Sequence, residues 1–257
     1  MIHRRKTLIL GAGGREFHNF NLLYRADTHH RVLAFATGRQ APEIAVCYPP
    51  HLSGPLYPEG IPIRSMTELE SLIEELDIAD VVFSGSDISH AEVMHLASRV
   101  LAAGADFQLH APERTMLTSS RPVIAITAVR SGAGKTPATR YVAAILAEAG
   151  YRVAVVRHPL PLSNLKRPIA QRFASVAELD SEECTFEERE EFEPLITAGV
   201  VVHIGLDYAA VLAEAEADAD VLLWDGASND QPFIRPDLHI TITDALRPGE
   251  ETEYHPG

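Results

Sequence analysis

Six consecutive residues, Ser131-Gly132-Ala133-Gly134-Lys135-Thr136, carry the most readable chemistry in this chain. Glycines let a loop bend so that successive backbone N–H groups face one point, and a helix starting at its end adds positive dipole, making an anion nest. Lysine at the fifth position reaches the β and γ phosphates of a nucleoside triphosphate, and the threonine hydroxyl that follows is a ligand for Mg2+. Arg130 adjoins the nest. The full phosphate-loop spacing, G-x-x-x-x-G-K-[ST], asks for glycine at position 129, where valine stands. The flanks argue for a phosphate loop over a plain turn with a solvated lysine. Val123 to Ile126 is an apolar, β-branched run suited to a strand covered on both faces. Thr136 to Ala149 sets Val142, Ile145, Leu146 and Ala149 on one helical face, with Pro137 in the first turn and Gly150 as the stop.

Other groups sit where such a loop needs them. Asp225 ends the apolar run Val221 to Trp224, and a carboxylate there can hold a water of the Mg2+ bound by Thr136. Asn229 and Asp230 follow and are expected to line the same pocket. Arg157 and His158 stand at the carboxyl end of a strand spanning 152–156, the edge where open α/β sheets bind ligands. Between Arg152 and Arg172 there are five basic side chains and no carboxylate, in a chain of net charge -14. Arg157, His158 and Arg172 are therefore the candidate anion pocket for the substrate, with Lys135, Arg157 and His158 as candidate catalytic groups. From Glu178 to Glu193 the sign reverses, with nine carboxylates and one arginine. Most of these read as the solvated face of a helix N-capped by Thr185, with Glu188 completing a capping box.

The elements that must position these groups alternate strand and helix. Thr7 to Leu10 is a strand running into Gly11-Ala12-Gly13-Gly14, a nucleotide-type turn. Its dinucleotide fingerprint is broken, because Glu16 stands where the last glycine belongs and no acidic residue ends the next strand. A nicotinamide-dependent oxidoreductase is therefore disfavoured. Residues 37–62 are rich in proline and read as one long ordered loop. The expected fold is α/β: a Rossmann-like domain over residues 1–120, then a P-loop NTPase domain over 121–257 with a mostly parallel sheet, incomplete at its C-terminus.

Composition bounds the partners. With 36 acidic against 22 basic residues, neither nucleic acid nor an anionic membrane suits this surface. Cys47 and Cys184 are the two cysteines, in no metal-binding spacing, so a reducing compartment and a cytoplasmic protein are expected. The expected partner is a small anionic phosphorylated substrate, with ATP and Mg2+ as cofactors; a homodimer is left open.

The assembled motifs resemble the cyclic 2,3-diphosphoglycerate synthetase family, P-loop proteins whose bacterial members are often labelled GTPases. The stretches that carry the resemblance are GAGGREFHNFN at 11–21, YPPHLSGPLYPEGIPI at 48–63, AVRSGAGKT at 128–136 and RHPLP at 157–161. They continue as CTFEEREEFEP at 184–194, WDGASNDQPFIRPDLHI at 224–240 and LRPGEETEYHPG at 246–257. The missing first glycine is a trait of that family. Ala227-Ser228, Glu250 and Leu162-Ser163 depart from its Gly-Asn, His and Tyr-Gly. Family chains are also much longer, so this chain looks like an N-terminal piece. The resemblance implies ATP-dependent closure of an intramolecular phosphoanhydride in 2,3-bisphosphoglycerate. Gly132, Gly134 and Lys135 would hold the triphosphate, Thr136 and Asp225 the Mg2+, and Arg157, His158 and Arg172 the substrate. The alternative expectation is a regulatory GTPase or metallochaperone-type switch.

Overall fold

The computed structural model describes residues 4–38, 46–157, 165, 168–181 and 184–256. Contacts divide the chain into two units, one formed by residues 1–115 and 162–167, the other by 116–161 and 168–257.

In the first unit the strands are β1 (Arg5–Leu10), β2 (His30–Thr37), β3 (Cys47–Tyr48), β4 (Ile61–Ser65), β5 (Asp80–Phe83) and β6 (Asp106–Leu109). The helices that connect them include α1 (Gly14–Leu23), α2 (Leu69–Leu76) and α3 (His90–Ala102). The sheet order is β3-β4-β2-β1-β5-β6, parallel except where β3 meets β4. Period-two alternation sends Leu8 and Leu10 to one face, into a core with Leu72, Ile73, Val93 and Val100. On α1, Phe17 and Phe20 pack on Phe35 and Tyr48, with ring centroids 4.5 to 5.8 Å apart. Helix α3 starts with a capping box: Ser89 Oγ accepts from the Glu92 N–H, and the Glu92 carboxylate from the Ser89 N–H. Such a cap stabilises a helix by about 1 kcal/mol.

The loop expected over 37–62 is partly sheet. Cys47 and Tyr48 pair with Pro62 and Ile61, and Ile63 to Ser65 run parallel to β2. Pro62 argues against a strand from sequence because it lacks a ladder donor. Here it lies ahead of the three residues that pair with β2, so the missing N–H costs no bond there. Pro42 lies outside the described residues.

In the second unit the strands are β7 (Val123–Ala128), β8 (Val153–Arg157), β9 (Ala170–Phe173), β10 (Val201–Gly205), β11 (Val221–Asp225) and β12 (Leu238–Ile242). Helices α4 (Lys135–Glu148), α5 (Val176–Ser181), α6 (Phe186–Thr197) and α7 (Tyr208–Asp218) link them. The order is β9-β10-β8-β11-β7-β12, with β9 antiparallel to β10 and the other pairs parallel. Alternation again serves two cores. Ala154, Val156, Leu222 and Trp224 meet α7 through Tyr208, Val211 and Ala215, whereas Val153, Val155 and Leu223 meet Phe192, Leu195 and Ile196 of α6. Thr185 caps α6 and Glu188 completes the box. Strand β9 is unforeseen, because Arg172 and its basic neighbours read as loop; its hydrogen bonds come from β10, more than 25 residues later in the chain.

The protein is thus α/β with mixed, mostly parallel sheets in Rossmann-like arrangements. Among the described residues, no helix is long and apolar enough to cross a membrane.

Candidate functional site

Three neighbouring strands of the second sheet, β8, β11 and β7, bring the candidate groups to one carboxyl edge. Asp225 pairs in register with Arg157 on one side and Ile126 on the other. Past β7 the chain turns through residues 129–134 into α4. Gly132 and Gly134 have φ of +79° and +107°, a region that costs an L side chain about 1–2 kcal/mol. A Cβ built at either glycine meets nothing within 4 Å. No side chain caps α4 at Gly134, the N-cap residue. Lys135, the first helical residue, extends Nζ to 3.0 Å from Ser228 Oγ. Arg130 is tied back to Asp244 at 3.1 Å.

Asp225 is buried, and neither of its carboxylate oxygens receives a hydrogen bond from the described residues. Arg157, also buried, donates through Nη2 to Glu191 Oε2 at 2.7 Å. Its Nη1 stands 3.4 Å from Asp225 Oδ2 without a hydrogen bond between them. The guanidinium lies over the Phe192 ring at 5.8 Å, and the Arg157 carbonyl accepts from the Tyr208 hydroxyl at 3.2 Å. A buried charge lacking hydrogen bonds costs several kcal/mol unless something pairs with it, at roughly 1–3 kcal/mol or more per unsatisfied group. An orphaned carboxylate of this kind suits a hard cation, which takes oxygen ligands and can leave several to water. The turn after Asp225 is held by packing. A Cβ at Gly226 would lie 2.5 Å from Trp224 Nε1, and the Trp224 ring sits among Tyr208 and Phe233, with centroids 4.8 to 5.5 Å apart.

The other sequence candidates fall in different surroundings. Arg172 does not join Arg157: it lies on β9, two strands away, and its Nε donates to Asp218 at 2.6 Å. The structure pairs it with Asp218 of α7 and does not bring it beside Arg157 and Asp225. Asn229 takes a positive φ of 47°, donates its backbone N–H to Ala128 at 2.6 Å, and reaches the His255 carbonyl with Nδ2 at 3.4 Å. With Asp230, Thr127, His239 and Thr241 it lines a cavity of about 40 Å3. His158 lies outside the described residues. Two residues that sequence reasoning passed over complete the site. In the sequence Ser228 reads only as a departure from a motif, and Glu191 as one of nine carboxylates on a solvated face. Only its place on α6 opposite the end of β8 separates it from its neighbours.

The first unit carries a second strand–glycine–helix turn, and its own side chain fills it. Glu16 is buried and accepts the Gly13 N–H at 2.7 Å. Gly11, with φ of +99°, lies so close that a Cβ would come within 2.6 Å of the Glu16 carboxyl group. A carboxylate therefore occupies the position where a bound phosphate would need these N–H groups.

No family model matches the chain. A curated protein named arginine synthetase ArcE, from Thermococcus kodakarensis, is 54% identical over 255 residues; the match covers 99% of this chain and 57% of that protein. The chain thus spans little more than half the length of that relative. Among solved structures, an aldose-aldose oxidoreductase from Caulobacter crescentus complexed with glycerol aligns over 79% of this chain and 70% of its own. Its TM-score is 0.33 at 13% identity, too distant to carry an argument. The match to arginine synthetase overturns the resemblance to the cyclic 2,3-diphosphoglycerate synthetase family. With it fall the formation of cyclic 2,3-diphosphoglycerate and the regulatory GTPase alternative, and a separate P-loop NTPase domain over residues 121–257 is not shown. Shared strand-end motifs had carried that resemblance, and they report a scaffold for anions without fixing the reaction. What this chain is similar to, over nearly its whole length, is a synthetase named for arginine.

Proposed function

We propose that this chain is the nucleotide-handling part of an ATP-dependent synthetase that forms arginine. The observation that carries the reading is the open turn at 129–134, whose helix presents Lys135 on the same sheet edge as the orphaned carboxylate of Asp225. The relative's name supplies the product. A synthetase couples bond formation to cleavage of a nucleoside triphosphate, and the edge offers the three things such a cleavage needs. Backbone N–H groups from Ser131 to Lys135 bind the phosphates by direct hydrogen bonds. The Lys135 ammonium, 3.0 Å from the Ser228 hydroxyl, would neutralise terminal phosphate charge. Thr136 and Asp225 would hold Mg2+, which when bound spreads the charge building on the phosphate oxygens. Arg157, fixed by Glu191 and Phe192, sets a buried positive charge 3.4 Å from the metal ligand Asp225. Catalysis here is positioning and electrostatics more than covalent chemistry.

The test is stoichiometric. The full-length protein is incubated with ATP, Mg2+, an amino acid that shares arginine's carbon skeleton and a nitrogen source. Arginine is followed by amino-acid analysis and nucleotide products by phosphorus NMR. Arginine formed in a fixed ratio to cleaved ATP, with little cleavage when the amino acid is omitted, is the expected result. ATP cleavage indifferent to every amino acid offered, or arginine formed without nucleotide, overturns it.

A further inference from the structure

We infer that Glu191 is a positioning residue that draws Arg157 away from Asp225 and so leaves that carboxylate available to a divalent cation; the inference rests on the metal role proposed for Asp225. Arg157 and Asp225 are register neighbours on β8 and β11, both buried, and opposite in charge. Two such groups would ordinarily close into a bidentate pair, with two parallel hydrogen bonds. Here they do not close. The guanidinium donates at 2.7 Å to Glu191 of α6 and stays ion-paired to Asp225 at 3.4 Å, with no hydrogen bond from Nη1 among the described residues. Phe192, the next residue of the same helix, supports the guanidinium plane from below at 5.8 Å. Among the described residues Asp225 consequently accepts no hydrogen bond, although Arg157 is ion-paired with it at 3.4 Å.

The energetic logic separates Glu191 from the eight other carboxylates of its stretch. A cation binding at Asp225 must compete with Arg157 for the same charge. With Glu191 present, Arg157 retains a carboxylate when metal arrives, so the competition is weak. Without that charge, Asp225 becomes the nearest anion to a buried guanidinium, and the pair must be broken before a metal can bind. Removing a carboxylate that touches no metal should therefore weaken metal binding, an effect peculiar to this arrangement.

The experiment measures Mn2+ binding to the full-length protein by electron paramagnetic resonance with ATP present, and ATP binding by calorimetry with metal chelated. Glu191→Gln, isosteric and still able to accept from Arg157, should raise the apparent Mn2+ dissociation constant about tenfold, the equivalent of one charge-assisted hydrogen bond. Metal-free ATP binding should stay within twofold. Glu191→Asp should fall between. Adding Arg157→Met to Glu191→Gln should restore Mn2+ affinity, because the competing cation is gone; a cooperative thermal transition for each variant shows that it is folded. Unchanged Mn2+ affinity in Glu191→Gln, or no recovery in the folded double variant, overturns the inference. Asp225→Asn tells the two layers apart. If it weakens Mn2+ binding and Glu191→Gln does not, only the role of Glu191 falls; if Asp225→Asn has no effect, the metal site falls with it.

Discussion

The two glycine-rich turns of this protein follow the same local plan, an apolar strand, a glycine bend and a helix N-terminus, yet they end in opposite states. At 11–14 the Glu16 carboxylate folds back onto the Gly13 N–H at 2.7 Å and closes on Gly11. At 129–134 the corresponding space beside Gly132 and Gly134 is empty to 4 Å, and the first helical residue is a lysine. A helix N-terminus attracts negative charge whatever its source. One turn satisfies that demand from within the chain, which stabilises the fold; the other leaves it for a ligand. The side chain within the first turn of the helix, acidic in one and basic in the other, makes the difference.

The largest expected effect tests the open turn. Lys135→Ala should lower nucleotide turnover by roughly 10²–10³-fold, the range for deleting one preorganised group that meets developing charge, while the melting temperature stays put because Lys135 is only partly buried. Wild-type turnover in that variant would make the second turn as structural as the first. Next comes the closed turn. Glu16→Gln removes a buried charge-assisted acceptor and should destabilise the protein by about 1.5–3 kcal/mol, read from denaturant midpoints, with no loss of nucleotide affinity. If ATP binding weakened instead, the first turn would be a ligand site and the contrast would vanish.

The smallest effect is a pH dependence of stability. His203 is fully buried on β10, and burial lowers its pKa below 6.5 despite the opposing pull of Asp218 at 3.1 Å; burial lowers that of His239 as well. A depressed histidine pKa means that the unfolded chain takes up protons first, so this contribution is full above pH 6.5 and is lost as the pH falls below it. Buried His203 can add at most about 1.4 kcal/mol per pH unit to that loss, and His239, exposed on β12, adds less. Urea melts at pH 7.5 and 5.5 should show the decline, and His203→Gln should flatten it. An unchanged slope in His203→Gln would place the acid sensitivity elsewhere, His110 of the first unit being another group lowered by burial.

Much of the scaffold was legible because it is local. Apolar runs such as Thr7 to Leu10 and Val221 to Trp224 specify buried strands by composition, and Thr185 with Glu188 marks a helix start by hydrogen bonds within one turn. Strand β9 and the pairing of β3 with β4 were not, since their partners are remote in sequence and their own residues, Arg172 and Pro62 among them, read as loop. The reaction was misread for a related reason: glycine loops and strand-end carboxylates encode anion handling, which many chemistries share.

By itself the sequence determined two strand–glycine–helix turns, an anion nest ending in Lys135, and an aspartate at the end of a buried strand, because each depends on residues within a few positions of one another. Tertiary structure alone decided which turn is open, that Arg172 goes to Asp218, and that Arg157 stands between Glu191 and Asp225. Those outcomes depend on the distances between charges from separate strands and helices, and folding sets such distances only when the sheet register brings residues 34 to 68 positions apart to one edge.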